Sequence, residues 1–296
     1  MGILYTLSFI VRHPLNRGHS LRSVLRYFRW QVGSRLVPGP VAIPFVDTTR
    51  LLVSPGMTGA TGNVYCGLHE FEDMCLVLHT LRPGDLFVDI GANIGSYTIL
   101  AAGGCSAQVV AIEPLPATYK VLSDNIGLNG LTELVSAKNV GLAAEDGTLR
   151  FSRDLDTVNH VLTDAEVGSL QTVEVPVRTL DGILKDAAPT LIKIDVEGFE
   201  TQVISGGTDS LRNPELIAVL MELNGSGSRY GFDESKLHLQ MIELGFNAFR
   251  YEPVSRTLSP ELNENKTGNT LYVRNIGRLW DRVRSAPAHN VHGVTL

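Results

Sequence analysis

Residues 86–95 read LFVDIGANIG, and this stretch decides the fold that the sequence predicts. A mostly apolar strand ends at Ile90, and Gly91 and Gly95 follow before a helix that we expect to begin near Ser96. In open α/β sheets, ligands bind beyond the carboxyl ends of the strands, where a glycine turn lets the backbone approach them. The first N–H groups of the helix add donors for an anionic group of the ligand. The stretch therefore predicts a Rossmann-like strand–turn–helix unit with a ligand at its turn.

The glycine spacing favours a ligand other than a dinucleotide. Gly-x-x-x-Gly differs from the Gly-x-Gly-x-x-Gly turn that holds a pyrophosphate, which disfavours an NAD-dependent oxidoreductase. Glu113 ends the next predicted strand, in the run Ala111-Ile112-Glu113-Pro114. A carboxylate at this strand tip can accept hydrogen bonds from both hydroxyls of a ribose. The two signals together predict a ligand that contains a nucleoside and whose carboxylate meets the glycine turn.

Strands and helices alternate along most of the chain. We expect core strands at 86–90, 108–112, 134–140, 191–195 and 216–223, helices at 70–81, 116–128 and 234–244, and further strands at 148–151, 173–177, 246–251 and 270–274. This alternation predicts an α/β fold with a mostly parallel sheet that helices cover on both faces. We expect a basic extension at residues 1–40, the α/β domain at 41–278 and a C-terminal tail at 279–296.

Composition narrows the class of protein. The chain has 296 residues, of which 44% are hydrophobic, enough for a substantial core. Its formal net charge of −6 disfavours a nucleic-acid partner, because phosphate binding needs a basic surface. The three cysteines are an odd number without a Cys-x-x-Cys pair, so neither a disulfide framework nor a zinc site is expected, and a reducing cytoplasm is the expected compartment.

The basic extension contains an amphipathic helix. From 21 to 36 the apolar residues share one helical face, at Leu21, Val24, Leu25, Phe28, Val32 and Leu36. Arg22, Arg26, Arg29 and Arg35 lie largely off that face. Amphipathic surface helices most often pack their apolar face on their own domain, and we expect this arrangement here. The alternative is peripheral contact of residues 20–36 with an anionic membrane surface, at the inner membrane face.

A second motif identifies a family. Residues 191–200 read LIKIDVEGFE, and Leu180-Asp181 precede them. This run and the stretch from Gly84 to Gly95 resemble the two hallmarks of the FkbM-type methyltransferases, over roughly residues 65 to 224. The first motif is shared by many methyltransferases, whereas the Lys-Ile-Asp-Val-Glu-Gly run is far more specific. The resemblance implies a class I methyltransferase fold and S-adenosylmethionine as cofactor.

The resemblance also implies positions for the cofactor. Asp89 and Gly91 would lie near its methionine end together with Asn93 and Gly95 of the same motif, and Glu113 would hold its ribose. Asn139, just past the third core strand, is a candidate near the adenine. In the family the region before the first core strand closes over the cofactor, which makes Tyr65, His69 and Glu70 further candidates.

Carboxylates at the ends of the fourth and fifth core strands are the catalytic candidates. Methyl transfer to an alcohol needs a group that accepts the proton of the hydroxyl. Asp195 ends the fourth strand, Glu197 follows it, and Glu222 lies near the end of the fifth. Lys193 lies inside an apolar strand, so we expect it to be paired with Glu222 or Glu197. The alternative is structural, since acidic residues also cap and stabilise helix N-termini.

His160 is a further candidate base, because imidazole titrates near neutral pH and the residue lies in the loop region between the third and fourth strands. Asp195, Glu197, Glu222 and His160 could also provide ligands for Mg²⁺. No tight ligand spacing requires a metal, and we expect none.

The resulting functional hypothesis is O-methylation of a hydroxyl on a sugar, a glycolipid or a polyketide-like natural product. The hydroxyl preference comes from the resemblance, because nothing in the strand-tip residues selects one acceptor. Open alternatives are a methyltransferase for another acceptor class and a non-catalytic nucleotide-binding or membrane-associated scaffold. An oligomer is also compatible with the sequence. A nucleic-acid methyltransferase is disfavoured by the acidic charge and by the lack of a Pro-Pro-aromatic motif after Asp195.

Overall fold

The computed structural model describes residues 2–153, 159–163, 166, 168, 171–261 and 268–296. In chain order the helices are α1 (Ile3–Arg12), α2 (Ser20–Leu36), α3 (Thr58–Cys66), α4 (Phe71–Thr80), α5 (Ser96–Ile99), α6 (Pro116–Leu128), α7 (Leu180–Leu184), α8 (Glu200–Ser205), α9 (Thr208–Arg212), α10 (Glu234–Glu243) and α11 (Ile276–Arg284). The strands are β1 (Val41–Pro44), β2 (Arg50–Val53), β3 (Leu86–Ile90), β4 (Gln108–Ile112), β5 (Val135–Lys138), β6 (Gly141–Leu142), β7 (Gly147–Ser152), β8 (Thr172–Arg178), β9 (Leu191–Ile194), β10 (Ala218–Leu223), β11 (Asn247–Glu252), β12 (Thr257–Pro260), β13 (Gly268–Val273), β14 (Asn290–Val291) and β15 (Val294–Thr295).

The centre of the molecule is an eight-stranded sheet with the order β12-β11-β13-β10-β9-β3-β4-β5. The five strands from β10 to β5 are mutually parallel, and β13, β11 and β12 complete one edge in antiparallel pairing. The chain moves outward from β3 in one direction through β4 and β5, and in the other through β9 and β10. The boundary between β3 and β9 is therefore the topological switch point, where open α/β sheets bind ligands.

Apolar residues cover both faces of this sheet, which confirms the predicted fold class. Alternate residues of a strand point to opposite faces. Phe87 and Leu191 belong to one buried cluster, which includes α4, α5 and α11, whereas Val88 and Ile192 belong to a second, which includes residues of α7 to α10. Because the central strands carry apolar side chains on both faces of the sheet, helices cover both faces.

A small second sheet lies beside the carboxyl end of the main one. It has the order β6-β8-β7, with β6 and β8 parallel and β7 and β8 antiparallel. Its apolar side, with Phe151, Val175 and Val177, packs with Leu115 and Val161 in a third buried cluster. This sheet forms one wall of the cavity described below.

The N-terminal helices pack on the domain with the opposite face to the one expected. Buried residues of α2 are Ser23, Tyr27, Trp30 and Ser34, whereas the apolar stripe Leu21, Leu25, Phe28, Val32 and Leu36 is exposed. The expectation that this stripe packs on the domain is therefore wrong. The rings of Tyr27 and Trp30 are large enough to fill the contact, and the small serines let the helix approach closely.

Residues 279–296, expected to form a tail, lie against the domain. In α11 the side chains of Leu279 and Val283 are fully buried, and the helix packs on α4. The hairpin of β14 and β15 follows, and Val291 pairs with Val46.

Among the described residues, the structure contains no helix whose length and apolarity would let it cross a bilayer.

Candidate functional site

A cavity of about 300 Å³ opens at the carboxyl ends of β3, β4, β9 and β10. Its lining includes Asp89, Gly91, Asn93, Glu113, Glu70, Asp195, Glu197 and Glu222, eight of the residues that the sequence singled out. Gly95, Asn139 and His160 are not among the lining residues. Cavities of this size, at the switch point of a parallel sheet, are the usual place for a small ligand.

Gly91 makes the turn after β3 because no other residue fits. Its φ is +76°, in the left-handed region that glycine tolerates. A Cβ on this residue would lie 1.8 Å from the carbonyl oxygen of Asp195, so the turn and the end of β9 are in backbone contact. The glycine thereby brings the β3 turn beside the catalytic candidate. Gly95, with φ +95°, precedes α5 and packs against Leu122 of α6. A Cβ on Gly95 would lie 2.6 Å from Leu122 Cδ1.

Glu113 is held in place by the backbone. Its carboxylate accepts hydrogen bonds from the N–H groups of Asn93 at 3.0 Å and Leu115 at 2.9 Å. The side chain is buried, and burial raises the pKa of Glu113 to about 7 in spite of these two bonds. Asn139 lies behind this strand tip, where its Nδ2 donates to the carbonyls of Glu113 and Pro114 at 2.9 Å. Asn139 therefore positions Glu113 instead of lining the cavity.

Asp89 lines the cavity with a buried carboxylate. Thr98 Oγ1 donates to Asp89 Oδ2 at 2.6 Å, whereas Asp89 Oδ1 is buried without a donor among the described residues. Burial raises the pKa of Asp89 above its ordinary value, and the neighbouring Lys193 partly opposes this. A buried carboxylate oxygen without a donor is costly, so a ligand that donates a hydrogen bond here would be stabilised.

A polar network crosses the floor of the cavity. Lys193 Nζ lies 2.7 Å from Asp195 Oδ2 and 4.7 Å from the centre of the Tyr97 ring, whose hydroxyl donates to Glu70 Oε2 at 2.8 Å. Burial would lower the pKa of Lys193, but the charges of Asp195, Glu70 and Asp89 raise it above its ordinary value. The expected pairing of Lys193 with Glu222 or Glu197 is thus wrong in detail, because the partner in direct contact is Asp195, two residues along the same strand face.

The catalytic candidates form a cluster at one end of this network. Parallel register pairs Ile194 with Met221, so the residues that follow them, Asp195 and Glu222, are neighbours. Oxygen atoms of Asp195, Glu197 and Glu222 all lie within 4.8 Å of one another, close enough to share a proton or to hold a divalent cation. Burial and the charge of Asp195 raise the pKa of Glu197 to about 7 and that of Glu222 to about 9. Glu222 therefore retains its proton at neutral pH.

His160 lies next to the cavity but outside its lining. Its ring Nε2 lies 3.1 Å from Glu166 Oε1, and its backbone N–H donates to Ser152 Oγ at 3.0 Å. The neighbours Asn159 and Val161 line the cavity instead. The structure therefore does not bring this candidate base to the carboxylate cluster.

The region before β3 contributes residues as well. His69 and Glu70 line the cavity, whereas the hydroxyl of Tyr65 accepts a hydrogen bond from Gln31 of α2 at 2.9 Å. Two further lining residues, Asn63 and Tyr97, were not predicted from the sequence. Asn63 Oδ1 accepts a hydrogen bond from the His69 N–H. The signal for Tyr97 was its place in the first turn after Gly95. Asn63 had no such signal in the sequence, because α3 has no clear apolar face.

Comparison with known proteins agrees with this geometry. The chain matches the methyltransferase FkbM domain over residues 89–251, more than half of its length. Relatives include the methyltransferase sdnD of Sordaria araneosa, 27% identical over 46% of this chain and 65% of that protein. The hexuronic acid methyltransferase AglP of Haloferax volcanii is 27% identical over 51% of this chain and 61% of that protein. The 31-O-demethyl-FK506 methyltransferase FkbM of Streptomyces tacrolimicus is 28% identical over 53% of this chain and 74% of that protein.

The chain thus spans less than two thirds of the length of the first two of these relatives. The domain match begins at Asp89, passes through the motif at 191–200 and ends in β11. It therefore includes the glycine turn, Glu113 and the carboxylate cluster, and it confirms the resemblance that these motifs indicated. The chain belongs to the FkbM methyltransferase domain family.

Proposed function

We propose that the chain is an S-adenosylmethionine-dependent O-methyltransferase that acts on a hydroxyl of a sugar, a glycolipid or a polyketide-like natural product. The observation that carries the proposal is that one cavity joins a carboxylate suited to bind a ribose with carboxylates suited to accept the proton of a hydroxyl. The backbone-held carboxylate of Glu113 lies at the tip of β4, and the carboxylates of Asp195, Glu197 and Glu222 lie at the tips of β9 and β10.

The charge of the cavity suits this cofactor. Its described lining includes six acidic residues, Glu70, Asp89, Glu113, Asp195, Glu197 and Glu222, and the cation Lys193. Burial raises the pKa of several of these groups, and a sulfonium or ammonium group in the cavity favours their ionised form, whereas the pyrophosphate of NAD or a nucleic-acid backbone opposes it. The charge therefore supports this cofactor over a dinucleotide.

The hydrogen-bonding capacity of the residues also fits. Each oxygen of Glu113 accepts one backbone N–H and keeps a second lone pair, so the carboxylate can accept both ribose hydroxyls as well. Asp89 Oδ1 can accept a bond from the ammonium group at the methionine end. Val140 and Leu142 line the neighbouring wall and offer an apolar surface to the adenine.

The carboxylate cluster gives the acceptor hydroxyl its reactivity. When bound, the cofactor supplies an electrophilic methyl group. As the new O–C bond forms, the hydroxyl must lose its proton, and we propose Asp195, which lines the cavity, as the group that accepts it. Lys193 donates to Asp195 Oδ2, which fixes the orientation of the carboxylate. Glu197, with its pKa near 7, can relay the proton toward solvent.

The names of two relatives support this acceptor class. One is named a hexuronic acid methyltransferase and another a 31-O-demethyl-FK506 methyltransferase. The first name specifies a sugar acid, and the second an O-demethylated compound as acceptor. Both are hydroxylated small molecules or glycans, which is the chemistry that an acidic cavity with a carboxylate base can serve.

The test is a transfer assay with S-adenosylmethionine labelled in its methyl group. The purified protein is incubated with a panel of hydroxylated acceptors, namely uronic acids, neutral sugars, glycolipids and macrolides, and with RNA and protein as other acceptor classes. We expect label in an ether that resists mild base, on at least one hydroxylated acceptor. Cofactor binding without transfer to any acceptor would favour the scaffold alternative, and label only on RNA or protein would contradict the proposed acceptor class.

A further inference from the structure

The N-terminal helices expose an unusual amount of apolar surface. Eight large apolar side chains of α1 and α2 are between 49% and 83% exposed, namely Ile3, Leu4, Tyr5, Leu21, Leu25, Phe28, Val32 and Leu36. The five from α2 form one stripe along its whole length. Exposed apolar residues are common singly, but a contiguous patch of this kind marks a contact surface.

The orientation of α2 is fixed, so the stripe cannot simply turn inward. On the buried side, the rings of Tyr27 and Tyr65 meet edge to face with centroids 5.1 Å apart. Gln31 Nε2 donates to the Tyr65 hydroxyl at 2.9 Å, and Arg26 donates to the Tyr65 carbonyl and to Asn16 Oδ1. Rotation of α2 that buried the stripe would break all of these bonds. The exposed stripe is therefore the free face of a docked helix.

The N-terminal segment that carries this stripe is positively charged. Residues 1–46 contain six arginines and no acidic residue, although the whole chain has a formal net charge of −6. Arg26 is used in the bonds to α3, and the remaining five, Arg12, Arg17, Arg22, Arg29 and Arg35, are exposed. An apolar stripe with arginines beside it is the pattern of a helix that lies in the headgroup region of an anionic bilayer.

We propose that α1 and α2 form a docking surface for an anionic lipid bilayer. The stripe would enter the boundary between headgroups and acyl chains, and the five exposed arginines would contact lipid phosphates. A second copy of the chain fits the surface less well. A symmetric dimer places the same patch on both sides of the interface, so arginines would face arginines without an acidic partner from residues 1–46. The positive charge of this surface therefore favours an anionic bilayer over a second copy of the chain.

The docking surface is close to the cavity. Helix α2 packs on α3, and Ala60 and Asn63 of α3 line the cavity. A bilayer on this surface would thus lie near the site. Docking needs neither the cofactor nor an acceptor, so its test is independent of the proposed methyl transfer.

The experiment is cosedimentation of the full chain with vesicles of phosphatidylcholine alone, or of phosphatidylcholine with phosphatidylglycerol, at low and high salt. We expect binding to the anionic vesicles only, and release as salt rises. The double variant Leu25→Ser and Phe28→Ser should reduce the partition coefficient at least about tenfold, because two apolar side chains that would enter the bilayer are lost. Arg22→Ala and Arg29→Ala should each reduce it about fivefold.

Matched variants control for loss of apolar surface or charge elsewhere. Leu239 of α10 is 60% exposed and Arg250 of β11 is also exposed, so Leu239→Ser and Arg250→Ala should bind vesicles like the unmodified chain. The proposal is overturned if the chain ignores anionic vesicles, or if the α2 and control variants bind equally. It is also overturned if Leu25→Ser with Phe28→Ser abolishes a dimer seen in sedimentation while vesicles are not bound, because the surface would then join two copies.

Discussion

The ammonium of Lys193 lies 2.7 Å from the carboxylate of Asp195, at the end of a strand whose other side chains are apolar and buried. Lys193 is 3% exposed, whereas the side chain of Asp195 is 30% exposed and reaches the cavity. The lysine also faces Asp89 and Glu70, whose charges act on it. Lys193 is thus a buried cation that compensates several carboxylates of the cavity and orients the one that we propose as the base.

Removal of this cation should destabilise the protein. Lys193→Met keeps the length of the side chain but leaves the carboxylates uncompensated, which costs about 3 kcal/mol for a pair that is buried on one side. Lys120→Met removes the exposed ion pair with Asp124 on α6 and should cost less than about 1 kcal/mol. Urea unfolding of both variants measures the difference. Equal losses in the two variants would mean that Lys193 has no special role in stability.

The close approach at Gly91 predicts a second difference in stability. Gly84 and Gly91 both have positive φ, at +89° and +76°, but nothing lies within 4 Å of a Cβ at Gly84. The free energy of unfolding of Gly84→Ala should therefore fall only by what the left-handed conformation costs an alanine, about 1 to 2 kcal/mol. In Gly91→Ala the added Cβ must also displace the Asp195 carbonyl. This variant should therefore lose clearly more stability than Gly84→Ala, or fail to fold. Thermal unfolding compares them, and similar melting temperatures would contradict the backbone contact.

The raised pKa of Glu222 predicts how stability depends on pH. Its pKa is about 9 in the folded chain and near 4.5 when exposed, so the folded state holds this proton more tightly. The stabilisation is complete below about pH 4.5 and is lost as pH rises toward about pH 9. Glu222→Gln is neutral at every pH and keeps that stabilisation. Its advantage in unfolding free energy over the unmodified chain should therefore grow from about pH 5 to about pH 9.

Comparison of the two proteins isolates Glu222, because the other titrating groups are common to both. Glu243→Gln, at an exposed position of α10, is the matched control and should show the same pH dependence as the unmodified chain. An advantage of Glu222→Gln that stays constant with pH would contradict the raised pKa.

Substitution of Asp195 separates a base from a metal ligand. Asp195→Asn removes the charge and most of the basicity, and general-base catalysis contributes about 10² to 10⁴ in rate, so turnover should fall by that factor while cofactor affinity changes little. We expect activity of the unmodified chain to persist in chelator. A Mg²⁺ site at Asp195, Glu197 and Glu222 would instead give loss of activity in chelator and partial recovery of the variant at high Mg²⁺. Near-normal turnover of Asp195→Asn would exclude both roles.

Local sequence signals predicted one half of the cavity well. The glycine turn after β3 and the acidic tip of β4 depend on strand-to-helix connections, which are encoded by neighbouring residues. The predicted bounds of β3, β4 and α6 agree with the structure for the same reason. Asp195 and Glu222 were placed together correctly as well, because the carboxyl ends of adjacent parallel strands meet at one edge of the sheet.

Contacts between distant parts of the chain were not predictable in the same way. The apolar stripe of α2 predicted the helix but not its orientation, because the orientation depends on contacts of Tyr27 and Gln31 with Tyr65, far along the chain. Lys193 was expected to pair with Glu222 or Glu197, whereas the period of two along a strand places Asp195 on the same face as Lys193. His160 was a candidate as a histidine in the loop region between the third and fourth core strands, and its position depends on a contact with Glu166 that no local pattern shows.

The most direct test is calorimetric titration of S-adenosylhomocysteine, the demethylated product of the cofactor, into the unmodified chain and into Glu113→Ala. We predict micromolar affinity for the unmodified chain, about −8 kcal/mol, and much weaker binding of NAD. Glu113→Ala should weaken binding at least about tenfold through the loss of two charge-assisted hydrogen bonds. Glu174→Ala, at an exposed position of β8, should bind like the unmodified chain. Absence of binding to the unmodified chain, or unchanged affinity in a folded Glu113→Ala variant, would contradict the account.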